Sequence, residues 1–189
     1  RKGCKPGVLE QEIGGRMEGI TYSQGWGPSF TTILSQNGET LHNHNYNGVL
    51  ESGKLLLVDA GGESVENYCS DHTRTYPVSG KFTERQRDIY NIVLAAHQEA
   101  PKNMRAGAMY MEDVHRKALI TLAEGLKGVG LINGSAEDAV AAGAMDLFMP
   151  HGLSHGMGID VHDCEAIGER SYDFSAIAER AAQEATCVH

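Results

Sequence analysis

Apolar positions along this 189-residue chain change their period several times, and each change marks a different element. Val8, Ile13 and Met17 stand among Glu and Gln at near-helical spacing, which predicts an amphipathic helix over 6–19, entered at Pro6. Thr31–Leu34 and Thr40–His42 flank Gln36-Asn37-Gly38-Glu39. Because Asn-Gly supplies the positive φ angles of a two-residue turn, strand, turn and strand are expected there. The continuous apolar run in Lys54–Asp59 predicts a strand buried on both faces, ending on a carboxylate just before Gly61-Gly62. Tyr68–Val78, with Thr73, Thr75, Tyr76 and Val78, predicts a second strand that returns to it as a hairpin and closes at Gly80.

Downstream the period turns helical. Thr83 followed three residues later by Gln86 forms a capping box, opening a helix through Ile89, Tyr90, Val93, Leu94 and His97. Val114, Leu119 and Leu122 share one side of an expected helix over 111–127, which stops in the glycine-rich 125–134 region. A shorter helix is expected over 135–145, with Ser135 as its cap and Asp138 in the first turn, where a negative charge is favourable. The coarse fold class is α+β, antiparallel strands flanked by helices in one compact unit.

Composition changes this picture little. With 41% hydrophobic and 22% charged residues the chain reads as an ordinary globular domain. A net charge of −9 argues against nucleic acid or an anionic membrane surface as partner and favours cations. No segment approaches the roughly 20 apolar residues of a membrane-spanning helix. Cys4, Cys69, Cys164 and Cys187 form no CxxC pair, which favours free thiols, a reducing compartment and a cytoplasmic location. The chain opens at Arg1 and ends just past an Ala- and Glu-rich run read as helical, so a fragment of a longer polypeptide is expected.

The candidate chemistry lies in two clusters. The segment 151–163 holds His151, His155 and His162 with Asp160 and Asp163, laced with Gly152, Gly156 and Gly158. Upstream, Asp59 and Asp71 stand twelve positions apart on the two expected strands, so a hairpin can turn both carboxylates into one pocket. Two facing carboxylates repel unless a divalent ion lies between them. Adding the imidazole of His155 suits Mn, Co, Fe or Zn better than Ca. The segment is not HExxH, since glycine follows His155. Ser154 lacks the GxSxG elbow, and neither glycine-rich stretch ends in the GK[ST] of a phosphate loop.

Val58-Asp59-Ala60-Gly61, the run Ser70 to Pro77, Gly80-Lys81-Phe82-Thr83 with Gln86 and Tyr90, and the block His151 to Asp163 occur in one consistent order. Together they resemble the Xaa-Pro aminopeptidases and prolidases of the pita-bread metallopeptidase family, most strongly its aminopeptidase P members. The resemblance implies a partial pita-bread fold, with 1–189 as part of a catalytic domain. It implies two divalent ions, manganese first, and hydrolysis of the bond between an N-terminal residue and proline. Asp59 would bind one ion, Asp71 bridge the two and His155 bind the second. His42 would line the substrate pocket, and His151 and His162 would orient a proline-containing peptide and assist proton transfer. A homo-oligomeric parent is also implied.

The sequence departs from the family pattern in three places. The two remaining ligands of the family are glutamates in Glu-Pro-Gly and Arg-x-Glu-Asp motifs, and neither motif occurs here; Glu165, Glu169, Glu179 and Glu184 lie in no matching context. The interval from Asp59 to Asp71 is one residue longer than usual, and the N-terminal domain of full-length members is absent. By itself the chain is therefore expected to bind metal weakly and turn over little. The alternatives are a non-catalytic pita-bread module that binds peptide or protein, which retention of Asp59, Asp71 and His155 opposes, and a methionine aminopeptidase-like enzyme, which the wording Arg74-Thr75-Tyr76-Pro77 and the 151–163 block oppose.

Overall fold

The computed structural model describes residues 3–106, 108 and 110–163. The Ala- and Glu-rich run, Cys164, Cys187 and the four glutamates just named lie outside these residues. Four helices and five strands follow in the order α1 (Glu10–Gln24), β1 (Gly27–Pro28), β2 (Ile33–Ser35), β3 (Leu55–Ala60), β4 (Gly62–Glu63), β5 (His72–Pro77), α2 (Glu84–Asn103), α3 (Arg116–Gly128) and α4 (Ala136–Ala141). A π-helical turn, Tyr110–His115, leads into α3, and a 3₁₀ turn, Ala144–Leu147, follows α4.

The chain divides into two units, one built from 1–8, 49–56 and 76–154, the other from 9–48, 57–75 and residues from 155 onward. In the first, α2, α3 and α4 enclose Ala96, Leu122, Ala123, Leu126, Ile132, Ala136, Ala139 and Met145. A smaller cluster of Ala100, Val114 and Ala118 lies under Tyr110 and Leu153. The α2 capping box forms as expected: the Gln86 N–H donates to Thr83 Oγ1 at 3.3 Å, and the Thr83 N–H to Gln86 Oε1 at 2.9 Å. Ser135 Oγ accepts from the Asp138 N–H at 3.0 Å, but α4 ends at Ala141 because Gly143 turns left-handed, φ 73°. The helix expected over 111–127 is a π turn up to His115 and α-helical only from Arg116.

The second unit holds α1 and most of the sheet. The first helix begins at Glu10, four residues after Pro6, and runs to Gln24. Tertiary partners set its start: the Glu10 and Gln11 N–H groups, orphaned at any helix N-terminus, donate to the carbonyls of Gly48 and Tyr46 at 2.8 and 3.1 Å. The expected hairpin over 31–42 is not formed. Thr40 to His42 are not extended, and β2 pairs antiparallel with β3 instead, Ile33 opposite Asp59 and Ser35 opposite Leu57. The Asn43 side chain donates to the Leu34 carbonyl at 2.8 Å, taking an acceptor the returning strand would need. Strand β3 lies between β2 and β5, and β1 pairs with β4. Its burial alternates rather than covering both faces: Leu56 and Val58 are buried, Leu55 and Leu57 half-buried.

Candidate metal centre

Alternation along β3 puts Asp59 on the half-buried face with Leu55 and Leu57. Its Oδ1 is buried without a hydrogen-bond partner. Burial pushes this carboxyl above the ordinary carboxylate range; a hydrogen bond from Thr73 opposes the shift, the adjoining Asp71 carboxyl adds to it, and the His42 ring opposes it. Two acidic groups this close share a proton or a cation.

Asp71 reaches Asp59 through a folded connection, not a plain hairpin. Its tip closes where the Ser64 N–H donates to the Tyr68 carbonyl at 2.9 Å, with Asn67 left-handed at φ 63°. Nearer the strands, the Ser70 hydroxyl accepts from the Gly62 N–H at 2.9 Å while the Ser70 N–H donates to the Gly62 carbonyl at 3.1 Å. Strand β4 inside the connection pairs with β1.

His155 arrives on a loop clasped to the same connection. The Cys69 N–H donates to the Gly158 carbonyl at 2.7 Å, and the Cys69 thiol to that of Ile159 at 3.0 Å. The loop also closes on itself, Asp163 N–H to Gly156 carbonyl at 2.9 Å; a Cβ at 156 would strike the Asp163 backbone carbonyl, so that position needs glycine. Its Nδ1 lies 2.9 Å from the Gly156 carbonyl, which only accepts, so Nδ1 carries the proton. Nε2 then points at Asp71 Oδ2 over 3.1 Å. A neutral ring would set a lone pair against a carboxylate, an arrangement that asks for a positive charge. The His162 ring stacks on that of His155 at 3.8 Å and 10°.

Of the sequence-derived site residues, Asp59, Asp71, His155, His162 and His42 fall in one unit, with His42 and His162 exposed. His151 belongs to the helical unit, where it acts electrostatically on His115. Among the described residues no group of three or more His, Cys, Asp or Glu side chains is arranged to hold a metal ion. Asp59 with Asp71, and Asp71 with His155, meet as pairs having Asp71 in common. The orphaned Asp59 oxygen, the crowded carboxyls and the His155 Nε2 set against Asp71 Oδ2 all fit a divalent cation. Cys4 and Cys69 are free thiols.

Three participants were invisible in the sequence reading. Thr73 stands in the sequence as a β-former within the run Ser70 to Pro77, with no role of its own, although it lies two residues beyond Asp71, a period-2 signal that points to it. Cys69 has no such signal. His115 is the third: its Nδ1 is covered and unpartnered, and burial, then His151, hold the ring below its ordinary pKa of 6.5 while Asp146 opposes them. The unfolded chain therefore takes up this proton at higher pH than the folded one, so stability is full above the unfolded value and is lost as pH falls below it. A fall in melting temperature between about pH 7.5 and about pH 5.5, reduced in His115→Gln, is expected from thermal denaturation.

The family model described as metallopeptidase family M24 matches residues 1–187. The Xaa-Pro aminopeptidase of Escherichia coli is 36% identical over 174 residues, covering 88% of this chain and 38% of its own length. A probable Xaa-Pro aminopeptidase of Metarhizium acridum is 42% identical over 124 residues, 66% of this chain and 24% of its own. Among solved structures, a variant of E. coli aminopeptidase P in complex with substrate superposes with a TM-score of 0.79 at 36% identity, covering 85% of this chain and 37% of that one. Aminopeptidase PepP of Pseudomonas aeruginosa does so with the same TM-score at 30% identity, covering 85% and 36%. The chain thus spans under two-fifths of these relatives, and the part it spans has the pita-bread architecture. No helix among the described residues is long and apolar enough to cross a membrane.

Proposed function

Because the chain belongs to metallopeptidase family M24, we propose that it supplies Asp59, Asp71 and His155 to a two-metal centre that hydrolyses the peptide bond between an N-terminal residue and proline. The observation that carries this reading is the meeting of the Asp59, Asp71 and His155 side chains, the last two 84 positions apart in sequence. Residues 1–189 are part of a catalytic domain. Divalent cations held there supply a water of lowered pKa and a positive field on the scissile carbonyl. An oxygen-rich donor set with one imidazole suits manganese, cobalt, zinc or iron better than calcium, and the family resemblance puts manganese first among them; the E. coli relative has been solved in a zinc-substituted form with product.

The chain's own side chains do the rest. Asp71, common to both pairs, holds the two halves of the site together. The Gly156 carbonyl fixes the tautomer of His155 and leaves Nε2 free of a proton for ligation. His162, stacked and exposed, is placed to hold or move a proton at the substrate, and His42 lines the pocket beside Asp59. His151 orients the peptide, a proline-containing chain whose imide nitrogen has no N–H to offer.

One observation favours a second reading, a peptide- or protein-binding module without catalysis: the described residues alone assemble no three-ligand cluster. The two readings part in one experiment, manganese titration followed by electron paramagnetic resonance, with hydrolysis of Xaa-Pro and Xaa-Ala peptides assayed alongside. The peptidase reading expects saturable manganese uptake, and any release of the N-terminal residue confined to Xaa-Pro peptides and stopped by a chelator. Turnover by this chain alone is expected to be low, since its sequence holds neither glutamate motif. Peptide binding with no saturable manganese uptake selects the binding module.

A further inference from the structure

Tyr110 and His115 are five residues apart. In an α-helix, at 100° per residue, five positions advance about 140° beyond a full turn, so the two rings would look in different directions. The segment Tyr110–His115 is instead a π-helical turn, whose i to i+5 hydrogen bonding brings residue i+5 back over residue i. The two rings accordingly stack, centroids 6.4 Å apart and 27° between planes. A π turn is rare and less favourable than the α-helix that continues from Arg116, so something on this face must offset its cost.

Besides α2 and α3, which pack on it through Ala100 and Ala118, the π turn meets one short segment, 151–154. The Tyr110 hydroxyl donates to the Ser154 carbonyl at 3.5 Å. Leu153 packs on the Ala100, Val114 and Ala118 cluster, Val114 itself being part of the turn. Ser154 is held left-handed, φ 60°, a conformation a non-glycine residue keeps only when its surroundings impose it. His151 and Asp146 lie near enough to act electrostatically on His115, whose own Nδ1 is covered and unpartnered. His151 in turn leans on the next residue, Nδ1 to the Gly152 carbonyl at 2.8 Å, so its ring follows the backbone of this segment.

We propose that the π-helical turn is a positioning device for His151: Tyr110 and His115 grip the segment 151–154 from one face, and His115 orients the His151 ring. Both are positioning residues. The role they serve, orientation of a proline-containing peptide by His151, rests on the peptidase reading above.

The test is nuclear magnetic resonance of the full chain with ring-labelled histidine and labelled backbone amides, which needs no turnover. His115→Phe keeps a flat ring for the stack and removes both nitrogens; His115→Gln keeps a polar donor; Tyr110→Phe removes one hydroxyl; His97→Gln, on an exposed position of α2, is the control. The expected result is a His151 ring resonance displaced beyond its line width in His115→Phe and largely restored in His115→Gln. Displaced Leu153 and Ser154 amides are expected in Tyr110→Phe, and no change at 151–154 in the control. Unmoved His151 and Ser154 signals in Tyr110→Phe and in folded His115→Phe overturn the proposal. If His115→Phe does not fold, unmoved Leu153 and Ser154 amides in Tyr110→Phe do so by themselves. Adding an Xaa-Pro peptide to the wild type separates this from the underlying reading: variant effects as expected, with no peptide response at His151, would retain the positioning device and remove the substrate role.

Discussion

Asp71→Ala is expected to abolish any response of this protein to manganese. Wild-type melting temperature should rise with manganese concentration, since a ligand that binds only the folded state stabilises by about 2.7 kcal/mol at 100 times its Kd. The variant should show no rise at any concentration that leaves the protein soluble. Asp71 meets both Asp59 and His155, so its removal takes away the donor those two share. The metal-free variant should not be greatly destabilised, because the same change relieves the crowding of two carboxyls. A merely structural Asp71 predicts the reverse pattern: a lower melting temperature without metal and an intact manganese shift.

Leu56→Ala carries the largest expected cost in stability. Leu56 is 0% exposed in the central strand of its sheet. A fully buried Leu→Ala change costs about 2–5 kcal/mol, depending on how far the cavity collapses. For a chain of this size that is a fall in melting temperature of roughly 5–15 °C. Leu55→Ala, on the half-buried face, should cost clearly less. Equal losses in urea or thermal unfolding would show that β3 is buried on both faces after all.

That pair of leucines shows where sequence stops being informative. Leu55-Leu56-Leu57-Val58 announces a strand, yet four apolar residues in a row look the same from either side, and only the neighbours decide which face is covered. The α2 start was legible because both bonds of its capping box lie within four residues. The absent hairpin after β2 was not, because its partner strand comes from Leu57–Asp59 and a side chain nine residues on, Asn43, takes the Leu34 carbonyl. The start of α1 was misplaced for a similar reason, its first donors being claimed by Gly48 and Tyr46. Motif wording singles out Asp59, Asp71 and His155 as candidates, but that Asp71 meets both of the others is a property of the fold. The π turn could not be read from the sequence, because nothing in Tyr110–His115 separates an i+4 from an i+5 hydrogen bond.

The pairing of β2 with β3 sets Ile33 opposite Asp59 and Leu34 opposite Val58. Sliding β3 by one residue would exchange the faces of Val58 and Asp59, sending a carboxylate toward the core and an apolar side chain toward Asp71. The sheet therefore proofreads the proposed ligand: a chain that misaligns this strand forfeits its core in the same error, and a well-folded molecule with a misdirected Asp59 is not among the states open to it.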